Sequence, residues 1–175
     1  IHTGILRLMH ETTAVALAFG IFKDLKKEFV EGQPQHVLFI DMGATAFTCC
    51  VTTFEPGKLM VKSAYYDNDA GGRDFDWIIA EWLSAKFEAK YKGKLSGKPM
   101  ENPKSVLKLL TAAEKAKKTL SPNGVKEVRI QLEMLIDELD FTCTLSAAEY
   151  EAMCAPLLAR LRHPVEAALR EAGLT

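Results

Sequence analysis

At 175 residues the chain is long enough for one ordinary domain or for two small subdomains sharing a core, and it needs no disulfide or metal staple to fold. Its 48% hydrophobic and 26% charged residues describe a globular chain. The formal net charge of −1 argues against nucleic acid or a membrane surface as partner, since either calls for a basic excess.

Ile5–Met9 alternates weakly and reads as a short strand. Glu11–Ile21 reads as a helix that is apolar almost all round, with Gly20 as its C-cap. The apolar stretch Ala14–Phe22 is about half of what a membrane span needs. Lys23–Gln35 is polar, holds Gly32 and Pro34, and reads as a loop. Three strands follow, Val37–Asp41, Phe47–Phe54 and Lys58–Tyr66, as an antiparallel meander with turn residues at each corner. A long helix is expected from Arg73 to about Tyr91 and a second from Pro103 to Leu120, with a basic loop between them. Glu127–Glu133 and Leu139–Leu145 flank Met134–Glu138 as a hairpin. Ser146 and Glu149 form a capping box that opens a third helix, and Pro164 starts a fourth that Gly173 ends. The order implies two small α+β layers.

Cys49, Cys50, Cys143 and Cys154 show no C-x-x-C spacing, which fits buried thiols in a reducing compartment. His2, His10, His36 and His163 are scattered, without zinc-ligand spacing. The chain opens at Ile1 with no initiator Met or targeting segment, and reads as an excised piece of a longer protein.

Three stretches can carry chemistry. In Phe39-Ile40-Asp41-Met42-Gly43-Ala44-Thr45-Ala46-Phe47 a strand ends in a carboxylate before a turn of small residues. Such a turn can aim backbone N–H groups at a phosphate, with the carboxylate toward a metal or an attacking water. The same residues also suit an ordinary hairpin with a solvated Asp. In Asp69-Ala70-Gly71-Gly72-Arg73-Asp74 paired glycines open a helix, whose dipole end suits an anion; the acidic residues that follow would equally complement that dipole. Glu114, Lys117, Lys118 and Ser121 form one polar stripe, able to grip a sugar or ring or simply to face solvent with helix salt bridges.

Taken together these stretches resemble a known family. Leu6 to Gly20, with His10-Glu11-Thr12-Thr13-Ala14, is similar to the strand and crossing helix that link the two lobes of seventy-kilodalton heat-shock chaperones. Asp41–Thr48 resembles their second phosphate loop, Ala70–Asp76 their next glycine turn, and Ala113–Ser121 their adenosine-gripping helix. The resemblance implies an α/β chain built as an actin-like (ribonuclease H-like) ATPase lobe, the second lobe only. Residues 1–21 would be a remnant of the first lobe and the crossing helix. Residues 22–70 with 155–175 would form an inner subdomain and 71–154 an outer one.

It also implies ATP or ADP with Mg2+ as ligand, fully held only in the two-lobed parent. Asp41 and Glu11 would handle the water and, through it, the magnesium. Gly43, Ala44, Thr45, Gly71 and Gly72 would face the phosphates, and Glu114, Lys117, Lys118 and Ser121 the adenosine. The family's loop runs Asp-x-Gly-Gly-Gly-Thr-Phe-Asp. Here Ala44 and Thr45 replace two glycines and Ala46 a threonine that helps hydrolysis, so slow turnover is expected. Asp41-Met42-Gly43 and Glu11-Thr12-Thr13 look like the larger hundred-and-ten-kilodalton branch. That branch implies a cytoplasmic holdase and nucleotide-exchange partner of a seventy-kilodalton chaperone, acting on unfolded clients in the stress response. A pure protein-interaction module without turnover is the alternative; an actin-fold sugar or acetate kinase fits the fold but not the Glu114–Ser121 helix. The first phosphate loop is expected before Ile1 and a Gly-Gly-Ser-Thr-Arg segment after Thr175. The chain alone is therefore expected to bind ATP weakly, and its open N-terminal strand to favour self-association.

Overall fold

The computed structural model describes residue 4 and residues 8–174. The chain divides into two compact units, Ile1–Gly71 with Arg160–Thr175, and Gly72–Ala159. The strand expected at Ile5–Met9 lies largely outside the described residues; of it Leu8 and Met9 are described, both exposed and without regular structure.

The first unit is a three-stranded antiparallel sheet in the order β1-β2-β3, with β1 at Gln35–Met42, β2 at Phe47–Glu55 and β3 at Lys58–Asp67. Pro56-Gly57 turns β2 into β3, and Gly57 takes the positive φ of 66° that this corner requires. The central strand β2 is covered on both faces. Its Phe54 joins Phe19, Phe29 and Phe39, with ring centroids 5.4–6.2 Å apart, and helix α1 (Glu11–Leu25) lies over that face. On the other face Cys49 Sγ donates to the Pro164 carbonyl at 3.4 Å, and Ser63 Oγ to that of Ala168 at 2.7 Å.

Two expectations fail here for one reason. Gly20 does not end its helix, which runs on to Leu25 through what reads as loop. Its role is close approach: a Cβ there would lie 2.8 Å from Phe54 Cε1. Pro164 does not start a new helix either, because α4 is continuous over Ala147–Glu171. A mid-helix proline costs about 3 kcal/mol, but this one is buried and its carbonyl takes the Cys49 thiol. At both residues tertiary packing overrides the local stop signal. Gly173, at φ 73°, does close α4, with Leu174 N–H donating to Leu169 O at 2.9 Å.

The second unit holds α2 (Gly72–Lys90), a 3-10 turn (Pro99–Glu101), α3 (Pro103–Leu120), β4 (Glu127–Ile136), β5 (Leu139–Ser146) and the start of α4. Ile79, Leu83 and Phe87 of α2, Leu109 and Ala113 of α3, and Ile130, Phe141 and Leu145 of the hairpin form its core. Asn102 caps α3, accepting from the N–H groups of Lys104 and Ser105. The hairpin turn is tighter than expected, since Ile136 pairs with Leu139 and only Asp137-Glu138 lie between them. Both sit at positive φ, 50° and 58°, a conformation two-residue hairpins demand. Asp137 is pinned there by the Ser96 N–H and hydroxyl, at 2.8 and 2.6 Å. Ser146 Oγ accepts from Glu149 N–H as a capping box requires, but the Glu149 carboxylate turns to Trp82 Nε1 at 3.0 Å instead of closing the box.

Candidate functional site

The glycine turn belongs to the first unit. β1 and β2 pair in a register that sets Asp41 opposite Thr48 and Met42 opposite Phe47, and Gly43 N–H donates to Ala46 O at 2.9 Å to close the turn. Ala44 and Thr45 stand exposed at its tip. Among the described residues neither backbone N–H meets an acceptor. Two unclaimed amides side by side in a tight turn can take an anion. Asp41 is exposed at the end of β1, and the Thr48 hydroxyl across from it is buried with no partner among the described residues.

Gly71 is pressed against this same turn. A Cβ on it would fall 2.6 Å from Thr45 C, 2.7 Å from Ala44 O and 2.7 Å from Ala46 N, all backbone atoms. Gly43 differs: its nearest obstacle is Ala46 O at 3.5 Å, so the fold itself leaves room for a side chain there. The segment leading into Gly71 is held by a clamp. Arg160 donates to both oxygens of Asp67 at 2.7 Å, and Asp67 Oδ1 also accepts from Asp69 N–H at 2.9 Å. Those contacts, the Asp69 N–H first and the Arg160 guanidinium with it, hold the Asp67 carboxyl below its usual range.

Because Asp67 is depressed in the folded state, its contribution is present above the unfolded carboxylate pKa and is lost as pH falls through the lower folded value. Asp67→Asn should therefore cost stability at neutral pH, about 1 kcal/mol for a two-pronged pair whose arginine is half-exposed, and the wild-type advantage should vanish under strongly acid conditions. Urea unfolding at the two pH values checks this, and an unchanged difference between wild type and variant in acid contradicts it.

Glu11 opens α1 and is exposed; no hydrogen bond or ion pair among the described residues joins it to Asp41.

The polar stripe of α3 belongs to the second unit. Glu114 and Lys118 pair with each other across one turn at 2.7 Å on the exposed face. The Lys118 ammonium holds the Glu114 carboxyl below its usual range, and Glu114 raises Lys118 in turn. Ser121 is exposed at the C-cap of α3. Lys117 points elsewhere: its Nζ lies 2.7 Å from Asp76 Oδ1 and donates to Gly72 O at 2.8 Å. The Arg160–Asp67 pair escaped the sequence reading, and Asp76 entered it only as a complement to the helix dipole, because pairs made across the fold leave no local pattern. Among the described residues no cluster of His, Cys, Asp and Glu could hold a metal ion by itself, and no helix is long and apolar enough to cross a membrane.

The model of the Hsp70 protein family matches residues 3–175. The chain belongs to the Hsp70 family. It is 40% identical over 170 residues to heat shock 70 kDa protein 14 of Arabidopsis thaliana, covering 97% of this chain and 19% of that protein. It is 41% identical to heat shock protein hsp88 of Neurospora crassa, covering 97% and 23%, and 39% identical to human heat shock 70 kDa protein 4L, covering 97% and 19%. This Hsp70-family chain thus spans about a fifth of the length of the curated relatives it matches. Its small mixed α/β layers agree with the actin-like fold of the family's nucleotide-binding domain.

Proposed function

We propose that this chain is the second lobe of the ATP-binding domain of a heat-shock chaperone of the larger, hundred-and-ten-kilodalton type. The observation that carries the reading is the Gly43–Ala46 turn, with its two unclaimed amides and Gly71 seated against it. The turn takes the phosphates of ATP or ADP through the N–H groups of Ala44 and Thr45, and Gly72 offers a further donor at the start of α2. Gly43, having no side chain, lets the phosphates come close.

A lone exposed carboxylate at Asp41 fits Mg2+, which is commonly held by one or two carboxylates and substrate phosphates while keeping several waters. When bound, Mg2+ would supply charge neutralisation on the phosphates; Asp41 would hold it through water, and Glu11 would serve the attacking water. Glu114, Lys117, Lys118 and Ser121 face the adenosine, with Glu114 kept ionised by Lys118 as an acceptor for a hydroxyl. Nothing on this list forms a covalent bond to phosphate, so the catalytic contribution is positioning and electrostatics.

Ala46 bears no hydroxyl to orient the reacting groups, which favours slow turnover. Nucleotide would then chiefly hold a shape that serves partners: a seventy-kilodalton chaperone whose nucleotide it helps exchange, and unfolded clients in the cytoplasm. Calorimetric titration of the full-length gene product with ATP and ADP, with and without Mg2+, tests the reading. Saturable binding of both, tighter with Mg2+, is expected; no binding at millimolar ligand, where the whole binding free energy need be only about 4 kcal/mol, overturns it.

A further inference from the structure

The Arg160–Asp67 clamp acts on the glycine turn from two sides. In the β2–β3 ladder Asp67 is the register partner of Phe47, the residue that follows Ala46 and pairs with Met42 on β1. Asp67 therefore backs the stem of the turn. A few residues further along the chain, Gly71 lies against the tip, on the backbone of Ala44, Thr45 and Ala46. Asp67 also fixes the path between the two, because its Oδ1 accepts from Asp69 N–H at 2.9 Å as the chain leaves the strand.

The carboxylate is the withdrawn partner, with 15% of its side chain exposed against 48% for Arg160. The guanidinium spans both carboxylate oxygens at 2.7 Å, which sets the plane of the group as well as its place. Its further contact is the Asp69 carboxylate at 3.6 Å. Arg160 is thus committed to two carboxylates of one short segment. The same seam between β3 and α4 is closed a second time, away from the turn. Ser63, on the same face of β3 as Asp67, donates to Ala168 O at 2.7 Å, and its register partner on β2 is Val51. With that second closure in place, the part left to the arginine is order at the turn end.

We infer that Arg160 is a positioning residue of the nucleotide site: through Asp67 it keeps Gly71 seated on the turn and the Ala44 and Thr45 amides aimed, and it touches no nucleotide itself. This rests on the nucleotide reading above. Gly71 has no side chain to anchor its own segment, and amides aimed in advance need no ordering when the ligand arrives.

Titrations of the full-length gene product with ADP and with adenosine, together with 15N amide spectra taken without ligand, test the inference. Arg160→Met should bind ADP about tenfold more weakly, the loss of roughly one charge-assisted contact's worth of alignment, with adenosine affinity unchanged. Its Ala44 and Thr45 amide resonances should be displaced before any nucleotide is added. Asp67→Asn, which is near-isosteric and guards against loss of fold, should weaken ADP binding in the same direction. The double variant should be no weaker than Arg160→Met, because the two residues form one network. Arg160→Lys, which keeps the charge on a single prong, should recover part of the affinity. Ser63→Ala should lower the melting temperature and leave ADP affinity and both amides in place, which separates aiming from general loosening of the seam.

An arginine that gripped phosphate directly would give the opposite sign at its partner, since Asp67→Asn would release it and ADP binding would hold or tighten. That result overturns the inference and leaves the nucleotide reading standing. So does normal ADP binding by Arg160→Met, or an equal loss of ADP and adenosine. Absence of ADP binding by the wild-type protein overturns both.

Discussion

Phe54→Ala should destabilise the first unit by about 3–5 kcal/mol, the usual range when a large aromatic is emptied from a core. Phe54 is only 1% exposed. It is the ring on which Phe29 stacks at 5.5 Å and against which Phe19 and Phe39 tilt. Gly20 brings α1 directly against its edge. The cavity would open onto a cleft lined in part by Leu17, Ile21 and Leu59, and Leu17 and Ile21 cannot fill it without moving α1. Phe22, 56% exposed on the same helix, is the control; Phe22→Ala should fall within about 0.5 kcal/mol of wild type. Urea unfolding read by far-ultraviolet circular dichroism checks the pair. Equal losses at the two positions would mean that the four-ring cluster is not the core of this unit.

Gly71→Ala should weaken ADP binding by tenfold or more and cost about 1–3 kcal/mol of stability, whereas Gly43→Ala should leave stability unchanged. The added methyl at Gly71 meets Thr45 C, Ala44 O and Ala46 N within 2.6–2.7 Å. Backbone atoms of a tight turn cannot rotate aside as a side chain can, so either the turn or the entry to α2 must shift. Overpacking of this kind typically costs that much. The displaced amides of Ala44 and Thr45 would lose charge-assisted bonds of about 1.5–3 kcal/mol each. Gly43 has a nearest neighbour 3.5 Å from its would-be Cβ and no positive φ. Its glycine is needed only if a ligand comes close, so Gly43→Ala should lower ADP affinity while the melting temperature stays put. If Gly71→Ala binds ADP as wild type does, the turn is not the phosphate contact.

The contrast between these glycines shows what was readable in the residues. Short runs rich in β-branched and aromatic residues, with turn residues at their corners, located all three strands of the first sheet. The two glycine turns could also be named as a pair, since chain order puts both at strand ends. Which glycine was structural could not be read, because that depends on atoms distant along the chain: Gly20 on Phe54, Gly71 on Thr45. Gly20 and Pro164 carry strong local stop signals, yet burial against β2 outweighs both. The stripe Glu114–Ser121 was legible as one face of a helix, but the partner of Lys117 was not. Its partner Asp76 lies on another element, and the choice Lys117 makes between solvent and that carboxylate is decided by packing. Arg160 gave no signal at all, being one of several arginines on α4 until Asp67 meets it.

The most direct test of the phosphate assignment is an amide measurement on the turn itself. In the full-length gene product labelled with 15N-alanine and 15N-threonine, ADP with Mg2+ should shift the Ala44 and Thr45 amide resonances strongly. Thr142, exposed on β5, should stay in place. Saturating ADP that leaves Ala44 and Thr45 unmoved would contradict the account, because the nucleotide would then be bound without touching the turn on which the whole reading rests.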